Sequence, residues 1–369
     1  MSQKDSSKPQ QRTAHGRRWM FRLVAVLGSL SVAVAVGEVV CRLAYKPSVP
    51  IRFQQGASVF QEDGIGKFFE KMEPDPELFW RFAPDQTITP SGKRTWRVIS
   101  NHQRLREDHE IPLRKPDNEI RVLCLGDSCT FGFGLPIHET FVDQVEEELH
   151  TLLPGKSVEA INAGVPGYTI FQGIRSLVRD GISYDPDLVL VCFGNNERSM
   201  WDNLSDFEHL RYLTSIRPPS PFTESRLCQF TWSKLRRRPQ NLIARPRLSA
   251  EEFRQVLRQV KAVTDNQDIG LICMAWIWRV QALRQGPIKS SPTQRTLLEF
   301  CETESVPIVN LMGLMRKLCK EHSVNEVYLD ELHPTGLANA RIAEQLAPAI
   351  ASWYENHKQT GRSHLSSPR

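Results

Sequence analysis

The chain has 369 residues, 40% of them hydrophobic and 24% charged, which supplies one large domain or two ordinary ones and excludes a disordered polymer. A net charge of +5 is mild and excludes the dense basic face of a nucleic-acid binder, so no nucleic-acid partner is expected. Of the eight cysteines, Cys124, Cys192 and Cys273 sit inside short apolar runs and read as buried thiols, and no CxxC pair or Cys/His ligand spacing exists to hold a metal.

Residues 1–45 read as a basic tail and a membrane segment. Arg17, Arg18 and Arg22 precede the uncharged run Leu23–Gly37, which Glu38 ends. The run is 15 residues long, short of the roughly 20 that a spanning helix wants. Counting on through Cys41, with Arg42 snorkelling, makes a single-pass signal anchor. The alternative is a cleaved signal peptide with Ala33-Val34-Ala35 as its processing site, leaving a secreted or periplasmic protein. In both readings the basic flank stays in the cytoplasm and the bulk of the chain is exported.

Residues 46–119 form a lead-in of short strands and loops, with alternation at Thr95-Trp96-Arg97-Val98-Ile99. From Ile120 strands and helices alternate. Arg121–Leu125, Val158–Ile161, Leu188–Phe193, Ile269–Trp276 and Val306–Leu311 read as five strands, and the third is nearly all apolar, as buried parallel strands are. Helices are expected over about 141–152 and 171–181, after the capping box Ser249-Ala-Glu-Glu252, near 292–303, and from about Thr335, where Pro348 should kink the last one. Residues 198–247 break the rhythm. They hold ten Lys and Arg against four Asp and Glu, and read as a solvated insertion loop, with a substrate lid or a contact for acidic headgroups as the sharper alternative. Residues 357–369 read as a polar, disordered tail. The alternation argues for a parallel α/β sheet covered on both faces, whose ligands bind at the carboxyl ends of the strands.

Chemistry-bearing residues follow those strands. Gly126-Asp127-Ser128 comes directly after the first. Its glycine, with Gly132 and Gly134, does not make a dinucleotide fingerprint, and an ordinary turn and helix cap is the plain alternative. Asn162-Ala-Gly-Val-Pro-Gly-Tyr168 follows the second strand, and Gly167 there can offer a bare N–H to a reacting oxygen. Gly194-Asn195-Asn196-Glu197 follows the third, and an Asn amide there can donate to the same oxygen. Asp330-Glu-Leu-His333 precedes the last helix. A seryl nucleophile needs a base, and the base needs a carboxylate to fix its tautomer. The three-residue spacing lets Asp330 reach the near ring nitrogen of His333 and leaves the far one for Ser128. As metal ligands, Asp330 and His333 lack a third partner.

Taken in order, these four blocks resemble the SGNH (GDSL-like) serine hydrolase superfamily, of the exported, membrane-anchored bacterial type. The resemblance covers roughly residues 120–355. It implies a flavodoxin-like, five-stranded parallel sheet sandwiched between helices, with a hydrolase domain over 120–356 that carries the insertion. By block it implies Ser128, Asp330 and His333 as a catalytic triad, and Ser128, Gly167 and Asn196 as the oxyanion hole. No cofactor and no metal are implied. The expected substrate is a small-molecule, lipid or glycan ester, and the expected activity is that of a serine esterase. An O-acetyltransferase using the same triad on a polysaccharide is one alternative, and a non-catalytic glycan- or lipid-binding member is another. Cys129 and Glu197 depart from the aliphatic residue and the Asp usual at those positions.

Overall fold

In chain order, the described residues of this computed structural model, 10–45, 72–89, 96–200, 203–235 and 243–365, fall into two compact units. One joins Met1–Ser48 to Arg211–Pro239, and the other joins Val49–Leu210 to Gln240–Arg369. The first unit is built on helix α1 (Gln10–Ala44), whose stretch Arg17–Ala44 is long and apolar enough to cross a membrane. Every side chain from Arg17 to Val36 is exposed.

The second unit begins with two small antiparallel pairs. Strand β1 (Met72–Asp75) pairs with β2 (Phe79–Phe82), and β3 (Gln86–Ile88) with β4 (Val98–Ser100). The described part of the lead-in packs on the helices and loops that follow it. Phe79 stacks on Phe171 with ring centroids 6.0 Å apart, and Trp80 Nε1 donates to the Pro166 carbonyl at 3.1 Å.

Then come β5 (Glu119–Gly126), the one-turn helix α2 (Ser128–Phe131), α3 (Phe141–Leu152), β6 (Ser157–Gly164), α4 (Ile170–Arg179) and β7 (Leu188–Cys192). They are followed by α5 (Asp206–Ser215), α6 (Arg226–Leu235), α7 (Ala250–Asn266) and β8 (Gly270–Ala275). The last elements are α8 (Pro292–Thr303), β9 (Ile308–Asn310), α9 (Met312–Glu321) and α10 (Gly336–Leu365). The five strands form one parallel sheet in the order β6-β5-β7-β8-β9. This is the flavodoxin-like order.

Strand residues alternate between two buried faces. Ile120, Val122, Cys124, Leu188 and Leu190 join one core cluster with α3, α9 and α10. The opposite face meets α4, α7 and α8. Because β6 and β7 flank β5, the chain reverses its winding at β5, and a crevice opens at the carboxyl ends of these strands.

Two expectations need correction. The described part of 198–247 is not an open loop but carries α5 and α6. Ser205 and Glu208 cap α5 reciprocally, at 2.9 and 3.2 Å, which is a capping box like the one found at Ser249 and Glu252. The backbone also stays helical beyond 357, because α10 continues through Pro348 to Leu365.

Candidate active site

Strand β5 ends at Gly126, and the chain turns into α2 with Asp127 as its N-cap. Side chains are excluded at the two strand ends that meet this turn. A Cβ on Gly126 would lie 1.9 Å from Thr130 Oγ1, and one on Gly164 would lie 2.4 Å from the Phe131 nitrogen. The close approach fixes Ser128 at the rim of the sheet. Asp127 Oδ1 accepts the Cys129 N–H at 2.9 Å and closes the cap.

Ser128 Oγ lies 2.7 Å from His333 Nε2. His333 Nδ1 lies 2.7 Å from Asp330 Oδ2, so the proton belongs on Nδ1 and the Ser128 hydroxyl donates to Nε2. Asp330 Oδ1 accepts the N–H groups of Leu332 and His333, each at 2.8 Å. Burial pushes the Asp330 carboxyl up, but the His333 imidazole and these two N–H groups outweigh it and hold the pKa down at about 2. The Phe133 ring packs on the imidazole, with centroids 5.0 Å apart.

Asn196 Nδ2 donates to Asp127 Oδ2 at 3.2 Å and to the Tyr168 carbonyl at 3.0 Å. One carboxamide thus ties the residue before Ser128 to the residue after Gly167. Asn195 Nδ2 donates to the same Asp127 oxygen at 3.0 Å. Asn195 is buried and Asn196 half-buried. Gly167 has φ +80°, a left-handed backbone that glycine adopts without strain. Among the described residues, the N–H groups of Ser128 and Gly167 are committed to no acceptor.

The two departures from the usual blocks have separate explanations. Cys129 belongs to the core cluster, and burial together with the Asp127 carboxylate pushes its thiol far up, so it stays protonated. Glu197 is fully buried. It accepts the Ile170 N–H at 3.0 Å, and caps α4 just beyond the Gly167 loop. Burial raises its pKa to about 7.

Sequence reading missed two contributors. Asp127 is the shared acceptor of both asparagines, and its place inside the Gly-Asp-Ser triplet was the available signal. Arg247 carried no signal. It is fully buried, pairs with Asp206 at 3.0 Å, and donates from Nη1 to the Gly167 carbonyl and from Nη2 to Gln172 Oε1, each at 2.5 Å. A short ladder joins the insertion's ends: Asp206 N to Arg247 O, Arg247 N to Ser199 O, and Leu248 N to Glu197 O. Among the described residues, no group of three or more His, Cys, Asp or Glu side chains is arranged to hold a metal ion.

The sequence model of the GDSL-like lipase/acylhydrolase family matches residues 124–341. The chain belongs to this family. As a GDSL-like (SGNH) protein it is a hydrolase acting on ester bonds. No curated protein matches the chain. Solved structures similar to it include a variant of the acetyl xylan esterase Axe2 from Geobacillus stearothermophilus, at 17% identity over 63% of this chain and 94% of that one, with a TM-score of 0.44. A lipase/acylhydrolase from Enterococcus faecalis is 17% identical over 63% of this chain and 96% of that one, with a TM-score of 0.41. The α/β hydrolase LAE5 from the metagenome of Lake Arreo, Spain, is 15% identical over 64% of this chain and 96% of that one, with a TM-score of 0.44.

Proposed function

We propose that this GDSL-like hydrolase is a serine esterase that cleaves an ester of a lipid or carbohydrate through an acyl-enzyme on Ser128. The observation that carries this reading is the unbroken relay from Ser128 Oγ to His333 Nε2 and from His333 Nδ1 to Asp330, with both contacts at 2.7 Å. His333 takes the Ser128 proton as Oγ attacks the ester carbonyl carbon. The imidazolium that forms is stabilised by the Asp330 carboxylate, which stays ionised. The carbonyl oxygen gains negative charge and is held by the Ser128 and Gly167 N–H groups and by the Asn196 amide. Asn196 can turn one N–H toward that oxygen without stranding Asp127, because Asp127 keeps Asn195 and the Cys129 N–H. His333 then protonates the leaving alcohol. Water, activated by the same imidazole, attacks the acyl-Ser128 carbonyl and releases the acid.

The same reading treats α1 as a single-pass anchor, with Arg17, Arg18 and Arg22 on the cytoplasmic side and the catalytic residues exported. Its length, its apolar composition and its exposed side chains support this.

The test is turnover of acyl esters of graded chain length by the purified full chain. Measurable hydrolysis that Ser128→Ala abolishes is expected. Equal hydrolysis by the Ser128→Ala variant would overturn the reading.

A further inference from the structure

Helix α6 buries none of its residues, although it carries Leu227, Phe230, Trp232 and Leu235. Leu235 is 76% exposed, and Phe222 just upstream is 56% exposed. Ten residues are too few for a helix to persist in water on its backbone bonds alone, so α6 needs an apolar neighbour. Within its own unit that neighbour is the end of α1. Leu227 fills the space above Gly37, where a Cβ would lie 3.1 Å from Leu227 Cδ2. Tyr45 meets Phe230 edge-on, with centroids 5.3 Å apart, and its hydroxyl lies 3.4 Å from Ser233 Oγ.

Glu38 makes the polar half of this junction. Its carboxylate accepts the Ser225 hydroxyl at 2.7 Å and the N–H groups of Leu227 and Arg226 at 3.0 and 3.1 Å. It also pairs with Arg42 at 2.8 Å. The first N–H groups of a helix lack internal partners and favour a negative charge, so Glu38 caps α6.

The cap changes the length of the membrane span. At about 1.5 Å per residue, Leu23–Gly37 covers about 22 Å of a hydrocarbon core about 30 Å thick. With Glu38 satisfied by α6 and Arg42, the span reaches Cys41, or about 28 Å. The residues that meet α6 then lie at the outer end of that span. What α6 and its surroundings expose suits this layer. Phe222 and Phe230, exposed, and Tyr45 and Trp232, half-buried, are aromatics of the interfacial kind, and the exposed Arg42 and Lys234 and the half-buried Arg226 can meet lipid phosphates.

We infer that α6 is an interfacial helix, clamped to the anchor by Glu38 and lying among the headgroups of the outer leaflet, where it binds anionic phospholipid. This rests on the reading of α1 as a membrane span. The segment 211–239, which belongs to the same unit as α1, holds seven Lys and Arg against one Glu and supplies the charge complement, and the contact with α1 supplies continuity with the membrane.

The experiment uses the full chain reconstituted in vesicles with brominated acyl chains, made of phosphatidylcholine alone or mixed with phosphatidylglycerol. Tryptophan quenching is the readout. Trp19, near the other end of α1, reports the span itself. Both Trp19→Phe and Trp232→Phe are expected to lower the quenched fraction, and adding Leu235→Trp to Trp232→Phe is expected to restore it. The Trp232-dependent part is expected to grow with phosphatidylglycerol. A loss with Trp19→Phe alone, without restoration by Leu235→Trp, overturns the interfacial helix and leaves the anchor standing. A loss with neither variant overturns the anchor and the inference together. Equal Trp232-dependent quenching in both vesicle types overturns the anionic headgroup as ligand.

Discussion

Arg247 donates from Nη1 to the carbonyl of Gly167 at 2.5 Å, and so holds the peptide that leaves Gly167, whose own N–H is a proposed oxyanion donor. The same guanidinium is neutralised by Asp206, and both side chains are fully buried. Arg247→Ala leaves that carboxylate buried without its cation, and a stability loss of about 3–5 kcal/mol is expected in thermal or denaturant unfolding. The double variant Asp206→Asn/Arg247→Gln removes both charges and is expected to recover part of the stability. It is expected to recover little of kcat, because the grip on Gly167 is not rebuilt. Full recovery of kcat would show that Arg247 acts on stability alone.

Asn195 and Asn196 share an acceptor in Asp127 but differ in exposure, and only Asn196 also reaches the Gly167 loop through Tyr168. Asn196→Ala is expected to lower kcat by about 100- to 1,000-fold with a smaller effect on KM, as loss of one oxyanion donor does. Asn195→Ala is expected to stay within about tenfold. Steady-state kinetics on variants shown folded by circular dichroism decide this. Equal losses would move the donor.

The contact between β6 and α2 leaves no room for a methyl group at Gly164. Gly164→Ala therefore has to push α2, and Ser128 with it. A destabilisation of about 1–3 kcal/mol and a fall in kcat on the order of 100-fold are expected. Gly313→Ala on α9, where a Cβ meets nothing within 4 Å, is the matched control and is expected to leave kcat unchanged without loss of stability. Similar kinetics for the two variants would mean that the close approach does not set the nucleophile.

The candidate site was legible in the sequence because its parts follow strands. Ser128, Gly167 and Asn196 each come directly after a strand whose apolar run is unmistakable, and Asp330 and His333 carry their spacing within one turn. What was not legible depends on separation along the chain. Arg247 lies 80 positions from Gly167, and only the folded ladder at the insertion's ends brings them together. The helices of the insertion were hidden differently. The Ser205–Glu208 capping box was present, but the surrounding prolines and arginines read as a solvated loop.

Glu197 links the site to pH. Burial raises its pKa to about 7 from an ordinary 4.5, so the folded state holds this proton more tightly than the unfolded chain does. Its contribution to stability is complete below about pH 4.5 and is lost as the pH rises through about 7. Glu197→Gln keeps an acceptor for the Ile170 N–H and removes the titration. The fall in Tm between about pH 5 and about pH 8 is therefore expected to be shallower in the variant than in the parent. Parallel Tm curves would show that Glu197 ionises freely in the fold. Asp330 has the opposite sign, because its pKa is depressed to about 2, and its contribution is lost only as the pH falls toward that value.

The most direct measurement of the central claim is the site of covalent labelling. A fluorophosphonate reacts only with a serine whose proton has a base to take it and whose phosphoryl oxygen has donors to hold it, so the adduct reports the whole arrangement at once. Peptide mapping of the labelled full chain is expected to find the adduct on Ser128, with labelling lost in Ser128→Ala and His333→Ala and retained in Cys129→Ser. An adduct on Cys129 or on another serine, or labelling that survives Ser128→Ala, would contradict the account.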